Sequence, residues 1–316
     1  MAMASVDAFF FSFSLFFHFL SLSHSATITL QNNCTHTIWP GILSGAGTAP
    51  LSTTGFSLLP TAASVLSVPP SWSGRIWART YCSTDPSSGR FSCATADCGS
   101  GAVACGGACA APPATLAEFT LNGGGGFDFY DVSLVDGYNI AMQIVPVGGK
   151  GGKSGNCTAT GCIADLNGDC PPELQVARGG GEDGGKRSVA CKSACVAFGK
   201  AEYCCSGAFA NPNTCKPSNY SKFFKNNCPL AYSYAFDDGT STFTCVSANY
   251  VITFCPSSPL PSLKASSEPQ PQAADISSCR RRTAPPSFGI FTAVWVAVGG
   301  CAICFYTAKI TEYLNG

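Results

Sequence analysis

Charge is scarce in this sequence: Asp, Glu, Lys and Arg make up 11% of the 316 residues and cancel to a formal net charge of zero. A nucleic-acid partner requires a basic surface, so no nucleic-acid ligand is expected. Histidine is scarcer still, with three residues in all. Two of them, His18 and His24, fall in an N-terminal segment that reads as a leader, which leaves His36 in the mature chain. That argues against a Ser-His hydrolase and against a histidine zinc centre; no metal and no other cofactor is expected. Lysine and arginine are absent altogether from residues 91–149.

What the sequence has in excess is cysteine. Twenty cysteines are far more than a reduced cytosolic chain carries, and at that density they imply an oxidising compartment. The N-terminus agrees. Residues 8–22 form an apolar run, followed by Ser23, His24, Ser25 and then Ala26, a small-residue cleavage site. Residues 1–25 are therefore read as a signal peptide, although the segment before the run carries Asp7 and no Lys or Arg. The apolar run is short of the ~20 residues a spanning helix needs.

From Ala26 onward, runs with β-strand character recur between Gly, Pro and Asn turns: ATITLQNN at 26–33, GRIWART at 74–80, LAEFTL at 116–121, FDFYDVSLV at 127–135, YNIAMQIVPV at 138–147 and ANYVITFC at 248–255. They predict an all-β sandwich or barrel. Between residues 157 and 228 cysteines crowd and strand runs thin out, the pattern of a loop-rich lobe that depends on staples more than on a core. One short helix is expected there, in SVACKSACVAF at 188–198, with Cys191 and Cys195 on one face. Residues 257–287 are Pro- and Ser-rich and read as an extended linker. Residues 288–306 are uncharged and, at ~1.5 Å per residue, long enough to cross a bilayer core; a polar tail, 307–316, follows.

Several motifs together resemble the thaumatin-like, pathogenesis-related proteins of plants: GRFSCATADCGSGAVAC at 89–105, APPATLAEFTLNG at 111–123, FYDVSLVDGYNI at 129–140, YCCSG at 203–207, CPLAYSYAFDD at 228–238 and YVITFCP at 250–256. The resemblance covers residues 26–256. It implies a mainly β fold: a β-sandwich core (about 26–79, 113–163 and 229–256), a small disulfide-stapled subdomain (about 80–112) and a disulfide-rich loop and helix lobe (about 164–228). It also implies eight disulfides, which spacing alone could not assign: Cys34 with Cys255, Cys82 with Cys93, Cys98 with Cys105, Cys157 with Cys245, Cys162 with Cys228, Cys170 with Cys191, Cys195 with Cys204, and Cys205 with Cys215. Cys109 departs from the family pattern and reads as a buried free thiol, with intermolecular pairing as the alternative. Cys279, Cys301 and Cys304 lie beyond the domain and are unassigned.

The chemistry concentrates where the basic residues are missing. Residues 91–149 hold Asp97, Glu118, Asp128, Asp131 and Asp136, a local acidic field in a chain that is balanced overall. Glu118 and Asp131 sit in neighbouring strand-like runs and can project together. The resemblance implies an acidic cleft between sandwich and lobe, lined here by Arg75, Glu118, Asp131, Asp136 and Asp237. Its ligand in the family is taken to be β-1,3-glucan, whose hydroxyls suit carboxylate acceptors. Two carboxylates are also the minimum for glycoside hydrolysis. Glu118 and Asp136 are the candidate pair, with Glu118 as the acid if like-charge clustering raises its pKa.

The leading expectation is a secreted, monomeric defence protein that binds β-1,3-glucan or another wall polysaccharide, with weak endo-β-1,3-glucanase action left open. The alternatives are an inhibitor of microbial hydrolases and a non-catalytic wall protein. Residues 288–306 are expected to hold it at the outer face of the plasma membrane, as a lipid-anchor (GPI) signal or as a single spanning helix. Glycosylation sequons stand at Asn33, Asn156 and Asn219, of which Asn219 is the best acceptor because Cys follows the other two.

Overall fold

The computed structural model describes residues 25–150, 157–179 and 187–257. The leader, the linker, the apolar tail, Asn156 and Cys279, Cys301 and Cys304 lie outside these residues.

Two sheets form the core. The first has the order β3 (Ala63–Val68), β1 (Ala26–Asn32), β13 (Asn249–Phe254), β8 (Met142–Val147) and β9 (Thr160–Cys162). Its strands are antiparallel except for β1 and β13, which run parallel with Ile28 opposite Tyr250. The second has the order β12 (Phe243–Cys245), β7 (Asp128–Ser133), β6 (Leu116–Thr120), β4 (Ser73–Thr84) and β2 (Trp39–Ser44), and β5 (Phe91–Thr95) pairs with the far end of β4. Side chains alternate across a strand, and the apolar positions follow that period. Ile28, Leu30, Met142, Ile144, Tyr250 and Ile252 of one sheet meet Ile76, Ala78, Ala117, Phe119, Tyr130 and Val132 of the other in one buried cluster. Phe119, Tyr130 and Tyr250 form its aromatic centre, with Tyr250 5.2 Å from each of the other two rings; such pairs add about 0.5–1.5 kcal/mol beyond burial. The Tyr250 hydroxyl is satisfied by donating to Asp128 Oδ2 at 2.9 Å.

The outer face of the second sheet is covered in part by the small subdomain. Trp77 on β4 and Leu116 on β6 pack there against Ala96, Cys98, Cys105, Ala110 and Ala114. Arg79, on the same face of β4, is fully buried, a costly placement unless its donors are met. Its guanidinium donates to the carbonyls of Trp39 (3.0 Å), Pro40 (3.2 Å) and Val103 (2.6 Å), which ties the subdomain loop to the sheet.

The described residues of the lobe contain a hairpin, β10 (Gln175–Arg178) with β11 (Arg187–Cys191), and three α-helices: α1 (Ala194–Phe198), α2 (Ala201–Cys204) and α3 (Asn219–Asn227). A fourth, α4 (Asp238–Ser241), precedes β12. The helix expected over 188–198 is a strand followed by a helix. Residues up to Cys191 are taken by hydrogen bonds to β10, and the helix starts only after Ser193, whose hydroxyl caps it by accepting from the Val196 amide. The cysteines pair Cys34–Cys255, Cys82–Cys93, Cys98–Cys105, Cys157–Cys245, Cys162–Cys228, Cys170–Cys191, Cys195–Cys204 and Cys205–Cys215, the pairs that the resemblance implies. Cys109 is not the buried free thiol expected: it is half-buried and disulfide-bonded.

Candidate functional site

Three adjacent strands put one residue each into a single row. Register sets Arg75 on β4 opposite Glu118 on β6, and Glu118 opposite Asp131 on β7. Their neighbours Ile76, Ala117 and Val132 point into the core, so alternation turns the row to the opposite face. Directly opposed side chains lie close enough to interact. Arg75 Nε stands 2.6 Å from Glu118 Oε1, and the two side chains are only 22% and 12% exposed. Ser133, two residues after Asp131 on β7, also favours the ionised form of Glu118. Asp131 is less well served: its Oδ2 is buried and finds no hydrogen-bond partner.

Asp136 reaches the same place from the turn after β7, which is closed by the Gly137 amide bonding to Leu134 O at 2.9 Å. Gly137 has φ +96°, and a Cβ there would lie 2.6 Å from Cys191 O and 2.7 Å from Pro113 Cβ. Only glycine lets this turn close against β11, where Tyr138 and Cys191 exchange both backbone hydrogen bonds.

Asp237 is engaged differently. Its Oδ2 lies 3.0 Å from Lys225 Nζ on α3 and accepts from the Ser233 amide (3.0 Å) and hydroxyl (2.9 Å). Lys225 in turn donates to Ala231 O and Ser241 Oγ, so this network fixes the loop before α4. It is the next residue, Asp238, whose charge acts on Asp131. Asp238 accepts from the Tyr232 hydroxyl at 2.9 Å, and Tyr232 also bonds Thr242. The structure thus gathers Arg75, Glu118, Asp131 and Asp136, and adds Ser133, Tyr232 and Asp238, which sequence reasoning did not single out. The paired aspartates of AFDD at 235–238 were the only signal for Asp238.

Burial governs the protonation of this group. It raises the Glu118 pKa, opposed by the Arg75 charge and reinforced by Asp136. Burial is the leading cause for Glu118, and the like charge of Asp136 acts in the same direction, as the clustering expectation required. Asp131 is raised well above the ordinary carboxylate range, first by burial and then by Glu118, with Arg75 opposing. Asp136 is raised by burial and held back by Arg75.

A hollow lies between lobe and core. Val135, Ser193, Glu202, Tyr203, Ser233 and Tyr234 are among the residues that line it, and the three carboxyl groups are not. Among the described residues no group of His, Cys, Asp and Glu is arranged to hold a metal ion, and no helix is long and apolar enough to cross a membrane. Asn33 and Asn219 are both exposed, Asn219 as the first residue of α3.

Comparison with known proteins gives consistent matches. The sequence model of the Thaumatin family matches residues 32–256. A protein named thaumatin-like protein 1, from Arabidopsis thaliana, is 55% identical over 252 residues, 78% of this chain and 92% of the relative. A Prunus avium protein named glucan endo-1,3-beta-glucosidase is 54% identical over 235 residues, 74% of this chain and 92% of that one. Among solved structures, a thaumatin-like xylanase inhibitor aligns with a TM-score of 0.38 at 22% identity, covering 72% of this chain and 99% of that one, a likeness too low to bear on function.

Proposed function

The chain belongs to the thaumatin family, and from that premise we propose that it is an extracellular plant defence protein that binds β-1,3-glucan along the row of Arg75, Glu118 and Asp131. The observation that carries the reading is the state of the row itself. A guanidinium and two carboxyl groups stand in register on the face turned away from the core, and one buried carboxyl oxygen lacks a partner. A buried polar atom left unmet costs roughly 1–3 kcal/mol, a cost that a ligand rich in hydroxyl and ether oxygens removes. Sugars match this donor and acceptor set without carrying charge into it. The name of the Prunus avium relative supports the same substrate class.

Binding does not require hydrolysis. Burial shifts the Glu118 and Asp136 pKa values upward, and a reducing-sugar assay on laminarin tests whether this carboxyl pair also hydrolyses the glucan. Binding itself is tested by titrating laminarin into the disulfide-intact protein and its Glu118→Gln variant. The eight disulfides paired among the described residues, with Cys109 disulfide-bonded besides, fit an oxidising, extracytoplasmic location, and we propose that residues 288–306 hold the protein at the outer face of the plasma membrane. Their length and lack of charge support this.

A further inference from the structure

We infer that Asp131 meets the glucan as a neutral acid, donating a hydrogen bond to an ether oxygen of the sugar chain, while Glu118 stays an anion that accepts from its hydroxyls. The inference rests on the glucan reading and assigns the two carboxyl groups of the row different jobs.

The difference comes from where the donors point. Arg75 Nε at 2.6 Å and the Ser133 side chain both favour the ionised form of Glu118, against the burial that raises its pKa. Asp131 lies on the far side of Glu118 from Arg75 in the register. Its charged surroundings are Glu118 from β6, Asp238 from the start of α4, and Arg75 from β4, which is already paired to Glu118. The Tyr232 hydroxyl donates to Asp238, and Asp136 acts on Glu118 rather than on Asp131. Asp131 Oδ2 is therefore buried beside two like charges with no donor to stabilise a negative oxygen. A proton on that oxygen removes the repulsion and turns an unmet acceptor into a donor. Burial and Glu118 raise the Asp131 pKa in the direction this requires.

A donor beside a fixed anionic acceptor selects a neutral saccharide and rejects an anionic one, because a uronate would meet Glu118. It also links binding to the uptake of one proton, so affinity falls as pH rises.

The experiment titrates laminarin into the full secreted protein between about pH 4 and about pH 8, spanning the range above an ordinary carboxylate pKa. The expected affinity falls by up to about tenfold per pH unit once Asp131 ionises. Asp131→Asn, which keeps the shape and supplies a permanent N–H donor, is expected to flatten that profile and to bind more tightly than the unaltered protein at the alkaline end. Glu118→Gln is expected to weaken binding at every pH. A flat profile for the unaltered protein, or an Asp131→Asn variant that binds worse throughout, overturns the inference. A ligand-free reading separates it from the glucan reading: the thermal midpoint of Asp131→Asn should exceed that of the unaltered protein by a margin that widens with pH. A margin independent of pH overturns proton-holding by Asp131 alone, whereas a widening margin without any laminarin binding overturns the glucan reading.

Discussion

Removing the cation of the row should make the stability of the domain depend on pH in a defined direction. Arg75→Met keeps the length of the side chain and deletes the charge that stands 2.6 Å from Glu118. Breaking a fully buried pair by removing one partner costs about 3–5 kcal/mol, since the other charge is left uncompensated. Here the side chains are 22% and 12% exposed, so the lower end, about 3 kcal/mol, applies. At roughly 2–4 °C per kcal/mol for a domain of this size, the thermal midpoint drops by about 6–12 °C near neutral pH. The sign follows from the carboxyl groups left behind. Arg75 opposes the upward shifts of Glu118, Asp131 and Asp136, so its loss raises all three folded-state pKa values further. A carboxyl group whose folded pKa lies above its unfolded value stabilises fully below the unfolded pKa and loses that contribution as pH rises through the folded one. The deficit of Arg75→Met should therefore be small near about pH 4 and grow toward neutrality. Thermal melts of both proteins across that range measure it. A deficit of equal size at both ends would refute the argument, as would a variant more stable than the parent at neutral pH.

The disulfides should differ in worth by the chain they close: the Cys34–Cys255 separation is 221 residues and that of Cys82–Cys93 is 11. Loop entropy predicts losses of roughly 5 and roughly 3 kcal/mol on replacing each pair by alanine, readable as denaturation midpoints, and a larger loss from the short loop would contradict this. Gly137→Ala should cost about 1–3 kcal/mol through its strained backbone and weaken laminarin binding by displacing Asp136; unchanged melting and binding would show that the turn tolerates a Cβ. Phospholipase treatment of membranes carrying the protein should release it if residues 288–306 direct a lipid anchor. Retention with an intact C-terminal epitope tag would support a spanning helix, and a protein soluble without treatment would sink both.

Strands that alternate strictly were readable in advance. LAEFT places Ala117 and Phe119 inward and Glu118 outward, and DFYDVS does the same with Tyr130 and Asp131, because a half-buried strand writes its two faces into the sequence with period two. The segment 188–198 was misread because two cysteines four residues apart imitate a helix face, while the hydrogen bonds from β10 that hold its first half as strand are non-local. Cysteine pairing came from the family resemblance alone. The acidic field was visible as a stretch without Lys or Arg, but the division of labour inside it was not. That depends on which carboxylate Arg75 meets across the sheet and on Lys225, a lobe residue, taking Asp237 and leaving Asp238 to act on Asp131.

If sugar is held by the row on β4, β6 and β7, calorimetric titration of laminarin at mildly acidic pH should register it. The unaltered protein should bind saturably, and Glu118→Gln should bind about tenfold or more weakly, since a hydrogen bond to a charged group contributes about 1.5–3 kcal/mol. Absence of saturable binding with all disulfides intact, or equal affinity for the two proteins, would contradict the account.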